Sequence, residues 1–292
     1  MRAVSIDELA QEAVEAAWPA SVIGVTSGGV FVITDNQRVL FLTYSPFHSP
    51  STVNLEPGFT DLRQSENGAK VQLERDRIII PNSGLVIDLT HAEVWKPQPP
   101  AALTADQAAG IPARLERAAL LAGDLKGEQG LAPILRWLVG KGDASLTGDM
   151  TEKIFLGINI LRIAIGAGDV EGAFKAVSVI AGHGRGLTPA ADDCIAGVLL
   201  VLNRWGSMVM NSLDLVHLNA GVLQIARAKT TSLSCTIIEA AALGQGDERI
   251  LQVLDGVMSG DYAETAAIQN LVRMGHSSGV DSLVGITLVL TS

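Results

Sequence analysis

The sequence predicts an α+β protein with segregated elements: a small β-barrel or sandwich domain with an N-terminal helix over residues 1–100, then a larger, mainly α-helical domain over residues 101–292. Three observations carry this expectation. Residues 21–89 alternate short β-branched runs with turn signals. The WKPQPP stretch at 95–100 holds Pro97, Pro99 and Pro100, which restrict the chain to extended conformations and read as a linker. Beyond it, apolar residues recur at helical spacing in an alanine-rich background.

Taken in order, Ser5 followed by Glu8 has the form of a capping box, and Leu9, Ala10, Ala13, Val14, Ala17 and Trp18 continue a helix that Pro19 ends. The runs SVIGVT, GVFVIT, RVLFLTY, KVQLE, RIII and GLVIDL then read as strands, with TDNQ, ENG and PNSG as turns between them. Strands at this density suit a small barrel or sandwich. After the linker, helices are expected over 103–122, 130–140, 150–166, 170–181, 189–204, 213–228, 232–243, 246–258, 261–273 and 280–290.

Composition removes several classes of function. The formal charge of −10 argues against a nucleic-acid partner, because such proteins carry a basic face or stripe. Hydrophobic residues make up 48% of the chain, yet stretches such as IAGVLLVL (195–202) and GITLVL (285–290) fall short of the roughly 18 residues that suggest a membrane helix. Asp7, Glu8, Glu12 and Glu15 occupy the region where a secretory signal needs an apolar run, so a cytoplasmic protein without a membrane partner is expected. Cys194 and Cys235 lie on apolar helical segments and read as reduced, buried thiols, with a small chance of reactivity for Cys194 beside the acidic pair.

The chemistry concentrates in GHGRGLTPAADDCIAG, residues 182–197. Gly182, Gly184 and Gly186 permit positive φ, so successive amides can point into one concavity. Thr188 has the identity of an N-cap and Pro189 that of a first helical residue, which aims the positive end of a helix at the loop. Arg185 adds a forked donor suited to carboxylate or phosphate. Adjacent positions lie about 100° apart around a helix, so one of Asp192 and Asp193 is expected to face the loop while the other caps or meets solvent. Asp193 is the choice, since an echo of the motif, GHSSGVDSLVG from Gly275, supplies Asp281 in the same place, four residues before a glycine.

That echo also brings His276, Ser277, Ser278 and Gly279, with Ser277 or Ser278 as an N-cap. If the two loops face each other, His183 and His276 could handle protons in one pocket, with Asp193 orienting one of them. A third cluster, Lys229, Thr230, Thr231 and Ser234, places one cation and several hydroxyls before an apolar helix. No HxH, HxxxH or CxxC spacing supports a metal centre. The residues imply no cofactor beyond a divalent ion such as magnesium, for which Asp192, Asp193 and Asp281 are the candidate ligands. Taken alone, each of these features also has an ordinary structural reading as a tight turn or helix cap.

GHGRGLTPAADD, KTTSLSCTIIEAAALGQGDE and MGHSSGVDSLVG together resemble the motifs of the AllH-like family, closely over the helical half and by order and length over the β half. Ala191 stands where family members usually carry glycine. The resemblance implies a subunit of oxamate carbamoyltransferase, with oxalurate and phosphate giving oxamate and carbamoyl phosphate, and hence a small anionic substrate, phosphate and protein partner subunits. The motif positions are Gly182, Gly184, Gly186, Leu187, Thr188, Pro189, Asp192, Asp193, Thr230, Thr231, Ser234, Gly275, His276, Ser277, Ser278, Gly279 and Asp281. The expected site thus comprises His183, Asp193, His276 and Asp281 for catalysis, with the glycine loops, Arg185, Asp192 and the Lys229–Ser234 cluster for binding. The alternatives are a non-catalytic anion-binding or scaffold subunit and a metal-assisted amide hydrolase.

Overall fold

The computed structural model describes residues 1–57, 62–144, 146–147, 151–209 and 213–292. The expected helix over 150–166 begins on residue 150, outside the described residues. The chain divides into two compact units, Met1–Gln98 and Pro99–Ser292, in keeping with an α+β protein whose strands precede its helices.

The first unit consists of β1 (Ala3–Asp7), α1 (Glu8–Glu15), β2 (Ala20–Thr26), β3 (Gly29–Thr34), β4 (Val39–Thr43), β5 (Thr52–Leu55), β6 (Lys70–Glu74), β7 (Arg77–Ile80), β8 (Leu85–Asp88) and β9 (Glu93–Trp95). These strands form one sheet in the order β8-β7-β6-β2-β3-β4-β5-β1-β9. It curls into a half-barrel, since Arg2 bridges to Asp88 and the Asp88 amide donates to the Met1 carbonyl at 2.9 Å. Alternate residues such as Val30, Val32, Leu40 and Leu42 fill its concave face, where Ala10, Ala13 and Val14 of α1 pack.

The N-terminus differs from expectation. Ser5 lies in β1, opposite Asn54 of β5, and does not cap a helix. The cap is Asp7, whose Oδ1 accepts from the Leu9 amide at 2.9 Å and the Ser51 amide at 2.6 Å. β1, β5 and β9 have no counterpart among the expected strands; β5 pairs parallel to β4 and β9 parallel to β1, so no tight hairpin turn marks either pair.

The second unit is helical: α2 (Ala105–Lys126), α3 (Leu135–Leu138), α4 (Glu152–Ala167), α5 (Val170–Ile180), α6 (Ala190–Val209), α7 (Leu215–Lys229), α8 (Ser232–Ala242), α9 (Glu248–Ser259), α10 (Glu264–Val272) and α11 (Ser278–Leu290). Ala132–Ile134 is a 3-10 turn ahead of α3, so the helix expected over 130–140 is much shorter. Every residue of α11 from Gly279 to Val289 is buried, as an all-round apolar helix requires. Among the described residues no helix is long and apolar enough to cross a membrane.

Candidate functional site

The site is organised by the crossing of α6 and α11. A Cβ on Gly197 of α6 would sit 2.1 Å from the Ser282 carbonyl oxygen, and one on Gly285 of α11 would sit 2.0 Å from the Cys194 carbonyl oxygen. The contact is reciprocal: in each helix the glycine four residues after the aspartate meets the carbonyl of the residue just after the other helix's aspartate. Glycine is required because any side chain would strike backbone. This crossing is the physical basis of the echo between the two motifs, and it buries Asp193 and Asp281 together, 3% and 0% exposed.

Both carboxyls are held by neighbours other than histidine. Asp193 accepts from the Thr188 hydroxyl at 3.0 Å and from Ser278, whose Oγ is itself 3.2 Å from Thr188 Oγ1. Asp281 accepts from the Leu131 amide at 2.6 Å, where Gly130 (φ +55°) lets the chain turn against it. Burial, and then the charge of Asp281, push the Asp193 carboxyl well above the usual carboxylate range. Burial also raises the Cys194 thiol, so the residual reactivity considered for it is not supported. Cys235 is only half-buried, against the expectation of full burial.

Asp192 is buried too, which corrects the expectation that one member of the pair would cap or meet solvent. Its Oδ1 accepts from the Gly182 amide at 2.7 Å, its Oδ2 accepts from the Thr230 hydroxyl, and Ser234 also donates to it. Burial raises its carboxyl, while those three donors pull it back down. Thr231 caps α8 by accepting from the Ser234 amide, and its Oγ1 lies 3.1 Å from the Leu187 carbonyl. The segments 182–193, 229–234 and 275–281 therefore converge on the start of α6: Asp192 ties the first to the second, and Asp193 ties the first to the third.

The start of α6 differs in detail from the expected cap. Pro189 precedes the helix and its carbonyl accepts from Asp192 and Asp193, while the Thr188 hydroxyl serves Asp193. The Ala191 amide donates to the His183 carbonyl at 3.0 Å, and Gly184 (φ +122°) packs so closely that a Cβ would meet the Ala190 nitrogen at 2.4 Å. The first-turn amides are thus taken up by the chain itself. What remains outward is the loop tip: Gly184, Arg185, Gly186 (φ +99°) and Leu187 are exposed, and among the described residues no group accepts from the amides of Gly184, Gly186 or Leu187.

His183 is held on both sides. Its Nδ1 lies 3.1 Å from the Ile180 carbonyl and 3.2 Å from that of Ala181, and its Nε2 lies 2.9 Å from Lys153 Nζ. With backbone carbonyls at Nδ1 and the Lys153 side chain at Nε2, both ring nitrogens of His183 are engaged within the chain. His276 is exposed, and its carbonyl accepts from Lys126 Nζ at 2.5 Å. Burial lowers the Lys126 ammonium and the charge of Asp281 raises it again. Asp193 orients hydroxyls, so its expected role of orienting a histidine is not what the geometry provides.

Lys229 turns away, donating to the Ser178 carbonyl at 2.5 Å. Ser277 stands at the N-cap of α11 without a side-chain capping bond. Gly279 is a packing glycine, since a Cβ there would meet the Leu271 carbonyl oxygen at 2.0 Å. Among the described residues no group of three His, Cys, Asp or Glu side chains is arranged to hold a metal ion, so the magnesium ligand set of Asp192, Asp193 and Asp281 is not assembled. Lys153, Lys126 and the Gly130–Leu131 turn were missed by sequence reasoning; the paired glycines Gly127 and Gly130 were the one signal that marked that turn.

Residues 180–290 match the family of oxamate carbamoyltransferase subunit AllH. The AllH match runs from the last residue of α5 to the end of α11, so it contains all three converging motifs and the α6–α11 crossing. No solved structure matches the chain.

Proposed function

We propose that this chain is a subunit of an oxamate carbamoyltransferase-like enzyme that acts on a small anionic ureide, oxalurate, with phosphate as co-substrate and with partner subunits. The observation that carries the reading is the loop tip at Gly184–Leu187, which lies inside the AllH match and presents glycine amides beside Arg185. A guanidinium together with outward amides suits a carboxylate or phosphate.

In this reading a phosphate oxygen attacks the ureido carbon, the bond from that carbon to the oxamate nitrogen breaks, and the nitrogen takes up a proton. Arg185 and the loop amides stabilise the oxyanion that develops. His276 is the better proton carrier of the two histidines, since His183 is already engaged by Lys153. The buried carboxyls act as positioning groups that hold the loop's stem. The test is carbamoyl phosphate formation by the full chain with its partner subunits: turnover should fall at least about tenfold for Arg185→Ala, equivalent to the roughly 1.4 kcal/mol or more of one charge-assisted contact. Undiminished turnover would remove Arg185 from the mechanism.

A second reading, a non-catalytic anion-binding or scaffold subunit, is favoured by one observation: Asp192, Asp193 and Asp281 are buried among hydroxyls and amides, which leaves few surface groups for chemistry. Oxalurate binding with turnover insensitive to both Arg185→Ala and His276→Gln would select it.

A further inference from the structure

Helix α4 is apolar on two faces. Ile154, Ile158, Leu161 and Ile165 pack into the unit, yet Leu156, Ile160 and Ile163 are 57%, 38% and 64% exposed in the full chain. With Lys153 and Ala167 they recur at intervals of three and four, the spacing of a coiled-coil seam. A contiguous exposed apolar stripe of this kind marks an interaction surface.

We propose that this outer face of α4 docks against the same face of a second copy of the chain, with the two helices antiparallel about a two-fold axis near Ile160. The face complements itself. In that arrangement Leu156 of one copy falls opposite Ile163 of the other, and Ile160 meets its own counterpart, as an isologous interface requires.

The polar end is complementary as well. Lys153 of each copy comes beside the last turn of the other α4, where Ala167 leaves room and the helix carbonyls carry partial negative charge. Glu152 stays at its own helix N-terminus, where its charge is favourable. Lys153 also reaches His183 Nε2 at 2.9 Å, so the edge of the interface lies beside the glycine loop. Three side chains fall short of the roughly 800 Å² per partner of a standard interface. Phe155 of the same helix and Trp137, whose rings meet edge to face at 5.0 Å, are half-buried and add apolar surface, and the dimer is a modest one with a dissociation constant of about 1–100 µM.

The test is sedimentation velocity on the full chain from about 1 to about 200 µM, a range that spans such a constant. Concentration-dependent dimers are expected, weakened at least about tenfold by Ile163→Lys and retained by Ile163→Leu. Both variants should keep the wild-type circular dichroism spectrum, because residue 163 is a surface position. Mild oxidation should link the Ile160→Cys variant to itself but not Leu243→Cys, at the C-cap of α8, although Leu243 is the more exposed site, 60% against 38%. A wild-type chain that stays monomeric throughout, a dimer indifferent to Ile163→Lys, or equal cross-linking of the two cysteine variants would overturn the proposal.

Discussion

Thr188 and Ser278, 90 residues apart in the chain, bring their hydroxyl oxygens to 3.2 Å, and both reach the buried carboxyl of Asp193. Through this contact the loop before α6 and the loop before α11 are fastened to one another. Thr188→Val and Ser278→Ala should each destabilise the chain by about 1–3 kcal/mol, because each leaves a buried acceptor short of a donor. The double variant should lose less than the sum, with a coupling of about 0.5–1.5 kcal/mol in denaturant unfolding. Strict additivity would mean that the two hydroxyls act independently.

The reciprocal glycines of the α6–α11 crossing give a steric expectation. Gly197→Ala and Gly285→Ala each press a methyl group to about 2 Å from a backbone oxygen. Since neither helix can yield without moving the other, each should cost at least about 1–3 kcal/mol. Gly142→Ala, where a Cβ meets only the Arg136 side chain at 3.9 Å, should stay within about 0.5 kcal/mol of wild type. Thermal melting of the three variants checks the contrast.

In the first unit, burial pushes the Asp7 carboxyl up to about 6, although the Ser51 and Leu9 amides donate to it. Its Oδ2 is buried without a hydrogen-bond partner. The folded state therefore holds a proton that the unfolded chain releases near 3.8. The associated stability is complete below about pH 4 and is lost as pH rises through about 6, a change on the order of 3 kcal/mol. Asp7→Asn keeps the helix cap and should flatten this part of the pH–stability curve between pH 4 and 7. A slope identical to wild type would show that Asp7 does not titrate as described.

Much of this architecture can be read along the chain, for reasons visible in particular residues. The helices after the linker are long apolar repeats broken by glycine and proline, and their positions depend on local pattern. β1 was hidden because Ser5 and Glu8 mimic a capping box, whereas the strand depends on pairing with β5 and β9, distant in sequence. The motifs mark three segments that the fold groups about the start of α6, a grouping open to expectation from the echo. The partners of each carboxyl were not: that Asp192 would meet Thr230 and Asp281 the Leu131 amide follows from how α2, α6, α8 and α11 pack. Lys153 belongs to no motif, and only the fold brings it to His183.

The claim on which the functional account rests is that the tip of the glycine loop holds the substrate's negative charge. Calorimetric titration of phosphate and of oxalurate into the full chain tests it most directly. Saturable binding is expected for wild type and for Arg136→Ala, whose side chain is paired with Asp124 elsewhere on the unit, and binding at least about tenfold weaker for Arg185→Ala. Equal affinity in all three proteins, or no binding of either anion by wild type, would contradict it.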